Sequence, residues 1–252
     1  MANDYFCFRQ FTIHQSLCAM KVGTDGTLLG AWANGGSQIL DIGTGTGLVA
    51  LMMAQRFPES MVIGAEIDND AVNQARVNVQ ESPFANRVGI VKQDMSCVSD
   101  CSPLVLAEMY SAAFEDKSPL KDSFDSIVSN PPYFSHSLVC PNDKRTLARH
   151  NASLTYRALL TTAWQLLSDD GELSLIIPFD CKNELEKEAY LLGFFKSRQC
   201  GVRTTPRKQP RRYLLAFRKH PVDTCEKSEG VIETSPGVRS EWYQQLTGDF
   251  YL

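Results

Sequence analysis

The 252-residue sequence has no long apolar run. Its longest unbroken stretch, Leu48 to Ala54, is far short of the ~20 residues a bilayer span requires. The opening Met-Ala-Asn-Asp-Tyr-Phe has no basic region followed by an apolar one, so no secretory leader is expected and the location reads as cytoplasmic. No C-x-x-C pair occurs among the eight cysteines, Cys7, Cys18, Cys97, Cys101, Cys140, Cys181, Cys200 and Cys225. The nearest two, Cys97 and Cys101, sit in a Ser- and Asp-rich stretch without a neighbouring His. This spacing gives neither a zinc set nor a disulfide framework, and reduced thiols with no metal are expected. There is also no internal repeat or homopolymer tract. What is present is ordinary globular composition, 43% hydrophobic and 21% charged, which excludes collagen and wholesale disorder. A chain of this length buries roughly 70 to 75% of its unfolded surface and folds without staples.

Charge is scarce in total but unevenly placed. The net value of −4 argues against a nucleic-acid partner until it is divided by segment. Residues 141–220 hold fifteen Lys and Arg against eight Asp and Glu, a surplus of seven, so the remainder carries −11. Between Lys196 and Lys219 lie nine basic residues and no acid. Such a run is either a solvated edge or a phosphate-binding face.

Apolar periodicity alternates between strand and helix. Strand-like runs are expected at Ser37–Ile42, Met61–Ile67, Arg87–Lys92, Phe124–Ser129, Gly171–Ile177, Phe195–Val202 and Tyr213–Arg218. Helical runs separate them at Gly47–Arg56, from an Asn69 cap to Gln80, at Thr155–Leu167 and at Lys182–Leu192. Leu104–Phe114 is apolar enough for a helix inside the long 96–123 connection. The pattern predicts a doubly wound, seven-stranded, mostly parallel α/β sheet with an antiparallel edge hairpin. One domain over 1–252 is expected: an amino-terminal segment 1–36, a core 37–220 and a tail 221–252. The tail should be a flexible connection to about Ser240, followed by an aromatic end that docks on the core.

The sharpest motif is Asp41-Ile42-Gly43-Thr44-Gly45-Thr46-Gly47, placed between a strand and a helix. A dinucleotide fingerprint would place its third Gly one residue later, and a phosphate loop would end in Lys followed by Ser or Thr. Neither fits, which points to a cofactor without a pyrophosphate. Asp41 at the strand end would repel phosphate and suits a cationic ligand. Glu66, nineteen residues beyond Gly47, can accept hydrogen bonds from ribose hydroxyls. Asp94, followed by Met95, is placed for an adenine amino group. Three acids at three strand ends beside a glycine loop fit S-adenosylmethionine, whose sulfonium and ammonium are positive.

The second motif, Asn130-Pro131-Pro132-Tyr133, falls at the end of the fourth strand, in the crevice where open α/β sheets bind ligands. The Asn130 side-chain carbonyl and a backbone carbonyl fixed by the prolines can hold both protons of one amino group. That aims its lone pair at an incoming methyl, so alignment and polarisation supply the catalysis. Tyr133 offers a face for a planar substrate to stack on.

Together the two motifs resemble those of class I S-adenosylmethionine-dependent amino-methyltransferases. Phe11-Thr12-Ile13-His14-Gln15, Lys21-Val22-Gly23-Thr24-Asp25-Gly26, Leu147-Ala148-Arg149-His150 and Leu246-Thr247-Gly248-Asp249-Phe250-Tyr251-Leu252 narrow the resemblance to the bacterial valine-tRNA (adenine-37-N6)-methyltransferase family, over nearly the whole chain. The resemblance implies a Rossmann-like fold, S-adenosylmethionine as cofactor, the anticodon loop of tRNA as partner, and methyl transfer to N6 of adenine 37. It implies that Lys21, Thr24 and Asp25 line the methionine end of the cofactor pocket, and that Arg149 and His150 position RNA. Arg207, Lys208, Arg211 and Arg212 would bind phosphates, and a monomer is the working expectation. Two other readings keep parts of this pattern: a glutamine N5-methyltransferase acting on release factors, which shares Asn-Pro-Pro-Tyr, and an RNA-binding module without turnover. The basic segment argues against the former and the filled cofactor positions against the latter.

Overall fold

The computed structural model of the chain describes residues 4–18, 20–96, 103–114, 121–132 and 154–251. In chain order its main elements are β1 (Tyr5–Cys7), β2 (Thr12–His14), α1 (Thr24–Trp32), β3 (Gln38–Ile42), α2 (Leu48–Arg56), β4 (Met61–Glu66), α3 (Asn69–Gln80) and β5 (Val88–Lys92). After these come α4 (Pro103–Ala113), β6 (Phe124–Ser129), α5 (Tyr156–Leu166), β7 (Leu167–Pro178), α6 (Lys182–Leu191), β8 (Phe195–Arg203), β9 (Arg212–Arg218), β10 (Glu226–Val231) and α7 (Glu241–Thr247).

An eight-stranded sheet in the order β10-β8-β9-β7-β6-β3-β4-β5 forms the centre. Within it β9 runs antiparallel to both neighbours and every other pairing is parallel. Alternating side chains bury both faces. Ile39, Val62, Ile90, Val128, Ile176 and Leu214 point into one apolar layer with α1, α2 and α3. Leu40, Ile63, Val91, Ile127, Leu175 and Leu215 point into the other with α4, α5 and α6. Near-continuous apolar strands of this kind are what a parallel sheet covered on both faces requires. The chain leaves β3 toward β4 and β5, then returns on β3's other side as β6. The crevice at the carboxyl ends of β3 and β6 is therefore the switch point of the sheet.

Two expectations are corrected. The 221–240 stretch is not a bare connection: β10 pairs in parallel with β8, from Glu226 beside Arg198 to Val231 beside Arg203. The expected hairpin strand β8 is thus internal, and the sheet has eight strands instead of seven. The Glu-Lys-Ser-Glu-Gly-Val sequence hides this, because an edge strand with its first four residues exposed carries no apolar alternation. Arg203 meets Glu229 at 2.7 Å across the pairing. A Cβ on Gly230 would collide with the Trp242 indole, so glycine is needed where α7 crosses the new strand. The second correction is at α3: Asp68, rather than Asn69, is the cap, and its carboxylate accepts the Ala71 N–H at 2.9 Å.

The aromatic end docks as expected. Tyr243 and Phe250 are 2% and 1% exposed within the layer that holds α1 and α2. The Phe250 carbonyl accepts the Arg9 N–H at 2.8 Å, which binds the carboxyl end to the β1–β2 hairpin. Among the described residues no helix is long and apolar enough to cross a membrane. Because Phe250 is fully enclosed, Phe250→Ala should lower the unfolding free energy by about 3 to 5 kcal/mol in a denaturant titration. A loss within about 0.5 kcal/mol would mean the tail contributes nothing to the core.

Candidate active site

The glycine loop is shaped by backbone and fixed from behind. Gly43, Gly45 and Gly47 have φ of 72°, 56° and 83°, left-handed values that disfavour any residue with a Cβ. The Gly43 and Thr44 N–H groups both donate to the Ala65 carbonyl, at 2.9 and 3.1 Å. Behind the loop Asp41 is 1% exposed. Its carboxylate accepts the Thr44 hydroxyl at 2.6 Å and the Ala50 N–H at 3.1 Å, joining the loop to the first turn of α2. Burial pushes the Asp41 carboxyl up to about 7, against the opposing pull of these two hydrogen bonds. Asp41 therefore does not face a ligand. The expectation that it meets a cation directly is corrected, because the side chain is buried behind the loop, bonded to Thr44 and to Ala50 of α2, and is not part of the cavity wall in front of it.

In front of the loop lies a cavity of about 270 Å³. Gly43 and Gly45 form one wall, with Glu66 and Ile67 at the carboxyl end of β4, Asp94 and Met95 just past β5, and Ser129, Asn130 and Pro132 at the carboxyl end of β6. Cys18 and Met20 from the amino-terminal segment and Leu154 close it. Burial, then the acids Glu66 and Asp68, push the Cys18 thiol up to about 11, so it stays protonated. Glu66 Oε2 accepts the Gly45 N–H at 3.0 Å, and Oε1 accepts the N–H groups of Ile67 and Asp68 at 2.8 and 3.0 Å. Asp94 Oδ1 accepts the Ser96 N–H and hydroxyl at 2.9 and 2.6 Å. Each acid is aimed by local donors and keeps acceptor capacity, since a carboxylate has about four lone-pair sites.

The structure thus gathers Gly43, Gly45, Glu66, Asp94, Met95, Asn130 and Pro132 around one cavity. It places others elsewhere. Gly47 caps α2 and packs on Ala75, and Pro131 is buried beside the cavity wall. Lys21 donates to the Gln15 carbonyl at 2.8 Å, folding the amino-terminal segment on itself. Thr24 lines a separate groove with Phe6, Arg9, Tyr243 and Tyr251. Asp25 is paired with Arg212 at 2.7 Å. The expected methionine-end role of Lys21, Thr24 and Asp25 has no support in these positions, nor has phosphate binding by Arg212. Tyr133, Arg149 and His150 lie outside the described residues.

The basic segment is likewise thinner than its sequence suggests. Lys196 pairs with Glu186 at 2.6 Å, Arg198 with the buried Glu172 at 2.6 Å, and Arg218 with the same Glu172 at 3.4 Å. Lys219 donates to the Leu167 carbonyl at 2.6 Å. Arg207, Lys208 and Arg211 remain exposed, on the connection from β8 to β9. That connection leaves the sheet at the carboxyl edge of the parallel strands, where Pro178 of β7 pairs with Arg212 of β9, so it shares an edge with Asn130.

A methyltransferase-domain family profile matches residues 39–103, the segment that contains the glycine loop, Glu66 and Asp94. The tRNA1(Val) (adenine(37)-N6)-methyltransferase of Bacteroides thetaiotaomicron is 44% identical over 100% of this chain and 99% of its own length. Its counterpart in Histophilus somni is 41% identical over 98% of this chain and 97% of its own. The chain belongs to this family. Among solved structures, a predicted O-methyltransferase from Agrobacterium tumefaciens superposes with a TM-score of 0.66 at 18% identity, covering 90% of this chain and 96% of its own. The glycopeptide N-methyltransferase MtfA, solved with S-adenosyl-L-methionine, gives 0.51 at 13% identity over 79% of this chain and all of its own. These two show the fold alone, that of class I methyltransferases.

One residue that organises the site in this family member escapes a motif search. Asn78 is fully buried in α3. Its amide donates to the carbonyls of His14 and Thr46 at 2.9 and 2.8 Å and accepts the His14 N–H at 2.8 Å. It therefore clamps the segment that closes the cavity to the glycine loop. Its only sequence signal is a polar residue inside the apolar stripe of Val72, Ala75 and Val79.

An unfolded aspartate ionises near 3.9 and Asp41 in the folded chain near 7. Between those values the folded state holds a proton that the unfolded state has released, so this group's contribution to stability falls as pH rises. Asp41→Asn, which mimics the protonated form, should gain on the wild type by on the order of 2 to 4 kcal/mol between pH 4 and pH 8. Denaturant midpoints across that range measure the gain, and parallel curves for the two proteins would contradict the assigned ionisation.

Proposed function

We propose that this chain transfers a methyl group from S-adenosylmethionine to the exocyclic N6 of adenine 37 in valine tRNA. The observation that carries the reading is the convergence of Asn130 with the glycine loop, Glu66 and Asp94 on one cavity, in a chain 44% identical over its full length to a relative bearing that activity in its name.

The residues present fit the cofactor. Where a Cβ would stand on Gly43 or Gly45 there is open space on the cavity side, a cradle that lets a ligand approach the backbone. Glu66 is the acceptor for the ribose hydroxyls. Asp94 is the acceptor for the adenine amino group, with Ile67 and Met95 as the apolar walls of the ring. When bound, S-adenosylmethionine supplies an electrophilic methyl on a positively charged sulfur. The Asn130 side-chain carbonyl would then accept a hydrogen bond from one N–H of the substrate amine, and a backbone carbonyl of the Asn-Pro-Pro segment a hydrogen bond from the other. Held this way the nitrogen lone pair faces the methyl, and the surplus proton leaves to water once the new N–C bond has formed. An exocyclic amine conjugated to a ring is a poor nucleophile, so orientation and polarisation are what the protein adds. Adenine 37 lies in a largely single-stranded loop, so unstacking it costs only a few kcal/mol.

Asn130→Ala should lower the single-turnover methylation rate at least 10²-fold and leave S-adenosylmethionine affinity, measured by calorimetry, within about tenfold. Near-normal turnover in the variant would refute the polarising role. A separate measurement addresses the RNA side. Replacing Arg207, Lys208 and Arg211 together by Gln should flatten the slope of log affinity for tRNA against log salt by about 2, at ~0.7 to 0.9 for each phosphate no longer neutralised. An unchanged slope removes this loop from the interface.

A further inference from the structure

We propose that Phe179 and the cationic loop pinned beside it form a second RNA contact, a platform on which a nucleobase next to the target adenine stacks while Lys208 and Arg211 hold its phosphates. The proposal rests on RNA being the substrate and adds where, beyond the methylated base, that RNA is held.

Four observations lead there. Phe179 is 52% exposed, and it follows directly on β7, whose parallel pairing with β6 runs up to Leu175 beside Ser129. The aromatic ring therefore emerges at the same sheet edge as Asn130, one strand over. The backbone that bears it is tied to the loop: the Phe179 N–H donates to the Arg211 carbonyl at 3.0 Å, and the Arg211 N–H donates to the Val202 carbonyl at 2.9 Å. Beneath it Tyr213 lies with its ring centre 6.1 Å from that of Phe179, and the Lys182 ammonium sits 5.4 Å from the Tyr213 ring centre. Finally, Phe179, Asp180, Lys208 and Arg211 line a single open groove.

An exposed aromatic face flanked by cations, with an acceptor at Asp180 for a base edge, is the arrangement that single-stranded nucleic acid recognises: stacking for the base, ammonium and guanidinium for the backbone. A purely apolar protein partner would desolvate Lys208, Arg211 and Asp180 and offer none of them a hydrogen bond. Other cations of the segment are already neutralised by Glu172, Glu186, Glu229 and Asp25. Of the segment's cations, Arg207, Lys208 and Arg211 stay exposed on this connection, and the last two share the groove with Phe179.

The test uses the full chain and a fluorescein-labelled anticodon stem-loop of valine tRNA carrying unmodified adenine 37, titrated by anisotropy at several salt concentrations. Phe179→Ala should weaken binding about 5- to 100-fold with the salt slope unchanged. Phe179→Trp should keep near wild-type affinity, and its indole emission should be quenched by the RNA. Lys208→Gln with Arg211→Gln should flatten the slope by about 1.4. Affinity for S-adenosylmethionine and the thermal midpoint should stay unchanged in Phe179→Ala, since the ring is exposed. Wild-type RNA affinity in Phe179→Ala overturns the platform while leaving the proposed reaction standing, provided the wild type binds and methylates the RNA. A wild type that binds no RNA overturns both. Quenching of the added indole in Phe179→Trp by a glutamine-bearing release-factor peptide, and not by RNA, also overturns the platform.

Discussion

A buried carboxylate holds the site's most demanding stretch of backbone in place. Three left-handed glycines in five residues are costly to order, and water-exposed they would sample many shapes. Asp41 removes that freedom by taking the Thr44 hydroxyl and the Ala50 N–H at once, which sets the loop's entry and its exit into α2. With the loop fixed, Gly45 can present its N–H to Glu66. Asn78 then fastens the cavity's cover to the Thr46 carbonyl. Loosening Asp41 would release each of these contacts in turn, although Asp41 itself touches nothing that binds.

The same edge of the sheet carries every element of the proposed reaction. Parallel strands deliver Glu66, Asp94 and Asn130 to one crevice because their carboxyl ends all point that way, and β9 turns back at that edge so that the loop before it arrives there too. The cofactor cavity is acidic and the far end of the edge is basic. This division explains how a chain of net charge −4 is compatible with a polyanionic substrate: the two kinds of charge are separated in space, and the net value averages over them.

Much of the architecture was legible from apolar periodicity. Phe124–Ser129 matches its expected bounds and most other elements fall within a residue or two, because buried parallel strands and amphipathic helices leave strong patterns. β10 was not legible, since Glu226 to Glu229 are exposed on an edge and such a strand needs no apolar face. In the site, the residues that meet the cavity through backbone or short side chains, Gly43, Gly45 and Asn130, could be read from their motifs. For Asp41 the motif marks the position but not the direction: sequence places it at a strand end and does not say which side of the sheet its carboxylate faces. Charge counting along the chain makes Arg212 a phosphate ligand and Arg198 part of a phosphate-binding run because it cannot see Asp25 and Glu172, 187 and 26 positions away. The same blindness hid Phe179, an apolar residue that is informative only because it is exposed.

The central claim is that this edge methylates an adenine amine, and the product itself is the most direct witness. Valine tRNA transcript incubated with the protein and S-adenosylmethionine, digested to nucleosides and analysed by mass spectrometry, should yield N6-methyladenosine from an oligonucleotide containing position 37. The product should be absent when position 37 is changed to another base. Methyl groups found instead on a release-factor glutamine, or on any other atom of the RNA, would contradict the account.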